Sequence, residues 1–276
     1  MTIVFDGREF AKHKELGLKD KVTSLRDKGK IPKLVSIIVG TDAASVMYVN
    51  LKKKAAERIG CELLVVNCKQ ESSKKEIKEI IQKYNEENHV NGVMVQLPLP
   101  KNFPKEDRDE ILNSIAPEKD VDGLREDSKF TAPTAKAVVE VLVEALKSKN
   151  KSVMETLEVA VVGASGMEGM RIVKALKSDE RIKALVNKLQ VVELNSKTNN
   201  LQLTTYDCDV IISVTGVPDL IKADMVKDGA VLIDVGAPSG DIEKKAYEKA
   251  SFVSPVPGGV GPVTVNCLLE NLVESA

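Results

Sequence analysis

In Val159-Ala160-Val161-Val162-Gly163-Ala164-Ser165-Gly166-Met167-Glu168-Gly169, four apolar residues run unbroken into a turn of small ones, and an apolar helical stripe of Ile172, Val173, Ala175 and Leu176 follows. A short β-branched run of this kind suits a strand buried on both faces of a parallel sheet. The small residues let the backbone approach a pyrophosphate, whose charge is met by N–H groups and the positive end of the next helix. Gly163, Ala164, Ser165 and Gly169 are therefore candidate cofactor-binding residues. The spacing Gly163-x-x-Gly166-x-x-Gly169 departs from G-x-G-x-x-G, and glycines here equally serve tight packing of helix on strand.

Similar runs recur on either side: Leu34–Val39, Cys61–Val66, Gly92–Val95, Leu189–Val192, Val210–Val214 and Ala230–Val235. Helical patterns separate them. Ser73 with Glu76 three residues on forms a capping box ahead of Ile77, Ile80, Ile81 and Tyr84, and residues 133–147 carry Val138, Val141, Leu142 and Ala145 on one stripe. Alternating strand and helix predicts an α/β fold. The polar run Ser148-Lys149-Asn150-Lys151-Ser152 reads as the boundary between two domains.

Thr215-Gly216-Val217-Pro218 and Asp234-Val235-Gly236-Ala237 each follow a buried strand, at the edge where open α/β sheets bind ligands. This adds Thr215, Gly216, Gly236 and Ala237 to the cofactor-binding set. In Val191-Val192-Glu193-Leu194-Asn195-Ser196-Lys197-Thr198, Glu193 is the residue type that holds a ribose 2′-hydroxyl, whereas Ser196 is the type that accommodates a 2′-phosphate. The cofactor expected is NAD or NADP.

In the first half, Tyr48 and Lys52 are four apart and share a helix face. Tyr48 offers a ring for stacking, and Lys52 a cation that burial can turn into an acid or base. Lys53 and Lys54 follow at once, so a solvated face of an amphipathic helix explains the same spacing. Gln96 lies between Val95 and Leu97 at the end of a buried strand, where its amide can orient a ligand or merely cap the strand. Asp120 and Asp122 alternate and project to one side if the backbone is extended, one pairing with Lys119 and the other meeting a ligand's amino groups; Asp122-Gly123 also reads as a plain turn. Pro255-Val256-Pro257-Gly258-Gly259-Val260-Gly261-Pro262 is too rich in Gly and Pro for a helix and too apolar for a linker, which suggests a shaped binding loop.

Composition excludes several classes. Across 276 residues, Lys+Arg number 40 against Asp+Glu 41, so bulk charge lends nucleic-acid binding no support. With aromatics at 3% and no Trp, a stacking platform for single strands is equally hard to build. No run approaches the roughly 20 apolar residues of a membrane span, and no leader-like segment opens the chain, so a cytoplasmic enzyme is expected. Cys61, Cys68, Cys208 and Cys267 lack C-x-x-C pairing, and His13 and His89 lie away from any metal-ligand spacing; buried thiols and no metal are expected.

Taken together these segments resemble the bifunctional methylenetetrahydrofolate dehydrogenase/methenyltetrahydrofolate cyclohydrolase family, in its order and over essentially the whole chain. The motifs that carry the resemblance are Tyr48-x-x-x-Lys52, Val95-Gln96-Leu97-Pro98-Leu99-Pro100, Pro117-x-Lys119-Asp120-Val121-Asp122-Gly123, Asp234-Val235-Gly236 and the Pro257 to Thr264 loop. The resemblance implies an α/β catalytic domain (1–147 with 264–276) and a Rossmann-like parallel-sheet dinucleotide domain (148–263), with folate in the interdomain cleft. It also implies a homodimer paired through the dinucleotide domain, a C-terminal helix from about Val265 to Ser275 returning to the first domain, and a place in one-carbon metabolism and purine biosynthesis. The reactions implied are NAD(P)-dependent oxidation of 5,10-methylenetetrahydrofolate to the methenyl form and hydrolysis of that form to 10-formyltetrahydrofolate. Carried over by position, Lys52 is the acid/base of hydrolysis, Gln96 its hydrogen-bonding partner, Tyr48 the stacking ring and Asp122 the ligand of the pterin's amino-pyrimidine edge. The same carry-over implies that Val95 and Leu97 bind the folate and that Pro257 to Val265, with Gly258 and Gly259, line the cofactor and folate pocket.

The chain departs from the family pattern at the rims. Ala164 stands where the family's Gly-Arg-Ser turn has arginine, Glu168 and Arg171 replace a Val and a Pro, Asn195-Ser196 replaces His-Ser, and Ala132-Pro133-Thr134-Ala135 replaces Pro-Cys-Thr-Pro. These departures leave NAD against NADP open and motivate a second reading, a non-catalytic dinucleotide-binding sensor or a member retaining one activity. A short-chain dehydrogenase also carries Tyr-x-x-x-Lys, but after its Gly-rich turn, whereas Tyr48 precedes Gly163.

Overall fold

The computed structural model describes residues 2–149, 153–198 and 200–276. From the N-terminus come β1 (Ile3–Val4), α1 (Gly7–Arg26), β2 (Lys33–Val39), α2 (Ala43–Ile59), β3 (Glu62–Cys68), α3 (Lys74–Glu86), β4 (Gly92–Val95) and α4 (Lys105–Asn113). Then follow α5 (Pro133–Lys149), β5 (Met154–Val162), α6 (Met167–Ser178), α7 (Glu180–Leu185), β6 (Val186–Leu194) and α8 (Leu201–Tyr206). The chain ends with β7 (Val210–Ser213), β8 (Val231–Asp234), β9 (Phe252–Ser254) and α9 (Val260–Glu274). The elements form two compact units, Lys12–Pro133 with Val265–Ala276 and Met1–Ala11 with Thr134–Thr264.

The first unit is built on a parallel sheet of order β3-β2-β4. Because side chains alternate along a strand, β2 sends Leu34 and Ile38 to one face and Val35, Ile37 and Val39 to the other. On the first face they meet Leu18 and Val22 of α1, Val49, Ala56 and Ile59 of α2, and Leu268, Leu269 and Leu272 of α9. The second face is covered by Ile77 and Ile81 of α3 with Ile111 and Leu112 of α4. The predicted capping box opens α3: Ser73 Oγ accepts from Glu76 N, and the Glu76 carboxylate accepts from Ser73 N. The C-terminal helix packs here as expected, its last turns filling the β2 core.

The second unit is a six-stranded, all-parallel sheet of order β1-β9-β8-β7-β5-β6. Its register places Leu194, Val162, Ser213 and Asp234 in one row across β6, β5, β7 and β8. Every loop expected to touch the nucleotide therefore leaves from the same carboxyl edge. Ile172, Val173, Ala175 and Leu176 are the buried face of α6, as their spacing predicts.

The units divide at other places than 147/148 and 263/264. Residues 2–11 lie with the six-stranded sheet because Ile3 and Val4 pair with Phe252 and Val253, and the Phe5 ring sits 5.7 Å from that of Phe252. Helix α5 also lies with this unit, where Glu140 pairs with Arg181 at 2.5 Å. Of the polar run read as the boundary between two domains, Ser148 and Lys149 continue α5, and Asn150, Lys151 and Ser152 lie outside the described residues. The four cysteines are buried as thiols, and burial pushes Cys61 up to about 12 and Cys208 up to about 11. Among the described residues no helix is long and apolar enough to cross a membrane.

Candidate active site

Asp42 caps α2, its carboxylate accepting from Ser45 N at 2.8 Å. From that start Ser45, Val49, Ala56 and Ile59 form the helix's buried stripe, and the helical period puts Lys52 inside the stripe. Lys53 and Lys54 are exposed, whereas Lys52 is half-buried; the solvated-face reading fits them and not Lys52. On the sheet below, alternation along β4 sends Val93 and Val95 to the α3 side and Met94 to the α2 side. Gln96, two residues past Met94, emerges on the α2 side as well.

Lys52 Nζ accordingly donates to Gln96 Oε1 at 3.0 Å and lies 3.8 Å from Met94 Sδ. Gln96 is held at both ends: its backbone N–H donates to Ile37 O at 2.8 Å, extending the ladder, and Nε2 donates to Leu97 O at 2.7 Å. That second bond sets the amide's orientation, turning oxygen toward the lysine. A neutral amide orients the ammonium without adding the counter-charge that would hold its proton in place. The Gln96→Glu variant should thus move the acidic limb of the cyclohydrolase pH profile, where the rate rises as Lys52 gives up its proton, to higher pH and cut the rate near neutrality by about tenfold. An unchanged profile would separate Gln96 from the proton chemistry.

Tyr48 lies one turn before Lys52 and is half-buried. Val95 is fully buried, so its side chain serves the core and only its backbone is near this edge. Leu97 packs partly against the same core. An open depression of about 490 Å³ lies on the neighbouring face of α2, lined by Val46, Met47, Leu51 and Lys54 among others, and it includes none of the candidate residues.

The Asp120–Asp122 segment departs from its extended reading. It forms a turn after the short 3-10 helix Pro117–Lys119, so the two carboxylates take different environments. Asp120 is fully buried and accepts from Leu124 N at 3.3 Å and Arg125 N at 3.0 Å; burial pushes its carboxyl upward. Lys119 does not pair with it but caps α3, donating to the carbonyls of Tyr84, Asn85 and Glu87. Asn271 of α9 donates to Val121 O at 2.9 Å and Thr131 O at 3.0 Å, pinning the turn on both sides. Gly123 follows at φ +64, where a Cβ would lie 2.6 Å from Ala132 N. Asp122, half-buried, is what this turn presents.

In the six-stranded unit, the Gly163 and Ala164 N–H groups both donate to Leu194 O, at 2.9 and 3.0 Å. Gly163 has φ +92, and a Cβ there would lie 2.6 Å from Val214 O. A Cβ on Gly169 would overlap Gly163 O and come within 2.8 Å of Ala164 Cα. No side-chain hydrogen bond caps α6 at Gly166, and the positive end of this helix dipole lies at the turn, where it favours an anion. A turn of this shape fits a pyrophosphate. Ser165, Gly216 and Ala237 are exposed beside it, Thr215 is half-buried, and Ala164 and Gly236 are buried. Glu193, exposed near the end of β6, pairs at the surface with Lys177 at 2.7 Å. Ser196 is exposed in the following turn, where Asn195 Oδ1 accepts from Lys197 N. Pro257, Gly258 and Gly259 belong to this unit, on the loop after β9, which packs on the start of α1 through the Gly7 N–H to Gly258 O bond of 2.9 Å.

Two family models match the chain, the tetrahydrofolate dehydrogenase/cyclohydrolase catalytic domain over residues 5–122 and its NAD(P)-binding domain over 132–276. The chain belongs to the tetrahydrofolate dehydrogenase/cyclohydrolase family. Bifunctional protein FolD of Staphylococcus haemolyticus is 35% identical over 97% of this chain and 94% of its own length. The bifunctional FolD dehydrogenase/cyclohydrolase of Campylobacter jejuni superposes with a TM-score of 0.88 at 32% identity, covering 100% of this chain and 98% of that one. The Trypanosoma brucei FolD, solved with NADP cofactor and inhibitor, gives 0.85 at 30% identity over 99% and 97%. As a family member the chain is a bifunctional NAD(P)-dependent methylenetetrahydrofolate dehydrogenase and methenyltetrahydrofolate cyclohydrolase, and the non-catalytic sensor finds no support in these matches.

Proposed function

We propose that the two activities draw on different residues, with proton chemistry at Lys52 and the nucleotide that accepts the hydride held by its pyrophosphate at the β5–α6 turn. The 3.0 Å bond from Lys52 Nζ to Gln96 Oε1 carries this reading. Loss of hydride from the methylene carbon leaves a cation delocalised over two nitrogens, so oxidation demands orientation more than a base. Tyr48 stacks on the folate and Asp122 receives the amino-pyrimidine edge, which together supply that orientation. Water then attacks the methenyl carbon, and Lys52, tuned by Gln96, takes and returns the protons as the ring opens to the 10-formyl product. Val95 and Leu97 contribute backbone and wall, and Pro257, Gly258 and Gly259 contribute shape.

Gly163, Ala164, Ser165 and Gly169 are the residues that would hold the pyrophosphate, with Ser196, Thr215, Gly216, Gly236 and Ala237 around it. Bound NAD(P)+ supplies the hydride acceptor. The test is to mix purified protein with methylenetetrahydrofolate and NAD or NADP in turn. The reading requires reduced nucleotide with at least one; reduction of neither would overturn it.

We further propose a cytoplasmic homodimer serving purine biosynthesis. Buried thiols suit a reducing compartment. Strand β6, nine residues at the edge of its sheet, offers a second copy a backbone ladder to extend. Light scattering should return twice the chain mass; the mass of one chain would contradict the pairing.

A further inference from the structure

Asp234 and Asp241 are both fully buried at the nucleotide edge of the six-stranded sheet. Backbone N–H groups meet their charge. Asp234 Oδ1 accepts from Gly236 N at 2.9 Å and Asp241 N at 3.0 Å, and Oδ2 accepts from Ile242 N at 3.0 Å, folding residues 235–242 back over the strand end. The second carboxylate reaches across to the next loop. Asp241 Oδ2 accepts from Ser213 Oγ at 2.9 Å, Thr215 N at 2.6 Å, Thr215 Oγ1 at 2.8 Å and Gly216 N at 3.3 Å. Its other oxygen, Oδ1, is buried with no hydrogen-bond partner among the described residues, facing Gly236, where a Cβ would come within 2.5 Å of it. A Cβ on Gly240 would likewise sit 2.6 Å from Asp234 Oδ2.

This arrangement changes what Thr215 can do. Its hydroxyl donates to Asp241 and accepts from Val217 N at 3.1 Å, so both functions are used inside the protein. The N–H groups of Thr215 and Gly216 also point back to Asp241. The turn's contribution to a nucleotide is therefore shape, and shape requires that the turn be held.

We propose that Asp241 is a positioning residue of the nucleotide site, a buried anion that holds the Thr215–Gly216 turn in register with the β5–α6 turn through a single oxygen. This rests on the reading of those turns as the NAD(P) site. An amide cannot substitute. If its oxygen faces the four donors, a bulkier NH2 must enter the tight space beside Gly236 that Oδ1 fills; if it is flipped, NH2 faces N–H. The charge itself also strengthens each of the four bonds.

The experiment measures NAD and NADP Kd by titration, the KM and kcat of the dehydrogenase, and hydrolysis of methenyltetrahydrofolate supplied directly, for wild type and Asp241→Asn. The expected result is a nucleotide Kd and KM raised about tenfold or more, kcat at saturating nucleotide changed less than threefold, and hydrolysis within twofold of wild type. A merely structural role would lower hydrolysis and kcat together. If Asp241→Asn does not fold, Ser213→Ala, which deletes one donor and keeps the carboxylate, decides the matter: Kd raised about threefold with hydrolysis unchanged supports the clamp, and an unchanged Kd overturns it. Wild type that binds nucleotide while Asp241→Asn binds it equally well rejects the clamp alone; wild type that binds neither nucleotide rejects the site and the clamp together.

Discussion

The Lys52→Met variant is expected to lose methenyl hydrolysis by about 10²- to 10⁴-fold, the range that a positioned acid/base supplies, while its dehydrogenase falls far less. The asymmetry follows from the chemistry. Hydride departure needs no proton acceptor, so removing the ammonium costs that step only whatever Lys52 contributes to folate binding. Methionine keeps an unbranched chain of similar volume on the half-buried stripe of α2 and places a thioether beside Met94, a swap that cores tolerate well. The melting temperature should therefore hold or rise. Turnover with methylenetetrahydrofolate and nucleotide should now accumulate the methenyl compound beyond its slow uncatalysed hydrolysis. Hydrolysis at the wild-type rate would remove Lys52 from the mechanism.

The Gly169→Ala variant should separate the activities in the opposite sense. The added methyl meets Gly163 O and Ala164 Cα, both backbone atoms of a turn that is itself tied to Leu194 O, so nothing nearby can give way cheaply. Overpacking of this kind costs about 1–3 kcal/mol. For a chain of this length each kcal/mol corresponds to roughly 2–4 °C in Tm. Lifting the first turn of α6 off the strand also moves the N–H groups that would hold the pyrophosphate. Dehydrogenase kcat/KM for the nucleotide is expected to fall about a hundredfold, within the reach of a displacement of about 1 Å, with direct methenyl hydrolysis retained. Equal dehydrogenase activity in variant and wild type would show that close packing at Gly169 is not what the site needs.

Much of this was open to reading because local chemistry and tertiary position agree. The β-branched runs became strands within a few residues of their expected ends, and Gly92–Val95 became β4 with the bounds expected. Ser73 and Glu76 capped α3 as their spacing demands. Lys52 was the ambiguous case, and the signal that resolves it was present: Ser45, Val49, Ala56 and Ile59 fall on one helical stripe with Lys52 in its middle, while Lys53 and Lys54 fall off it. Met94 was legible in the same way, from alternation along β4.

What remained hidden depends on contacts distant in sequence. Strands β1 and β9 span two and three residues, too short for any period to show, and their pairing carries the N-terminus into the other unit. Asp241 looks like an ordinary turn residue until the N–H groups it gathers are seen, from a loop 26 residues earlier.

The most direct test of a single chain that oxidises and then hydrolyses is to supply 5,10-methylenetetrahydrofolate dideuterated at the methylene carbon, with NAD or NADP, in oxygen-18 water, and to weigh the products. The account predicts one deuterium in the reduced nucleotide, one deuterium in the 10-formyl group, and oxygen-18 in that same group formed at an enzyme-dependent rate. Reduced nucleotide without deuterium, or a formyl group that appears no faster than in a protein-free control, would contradict it.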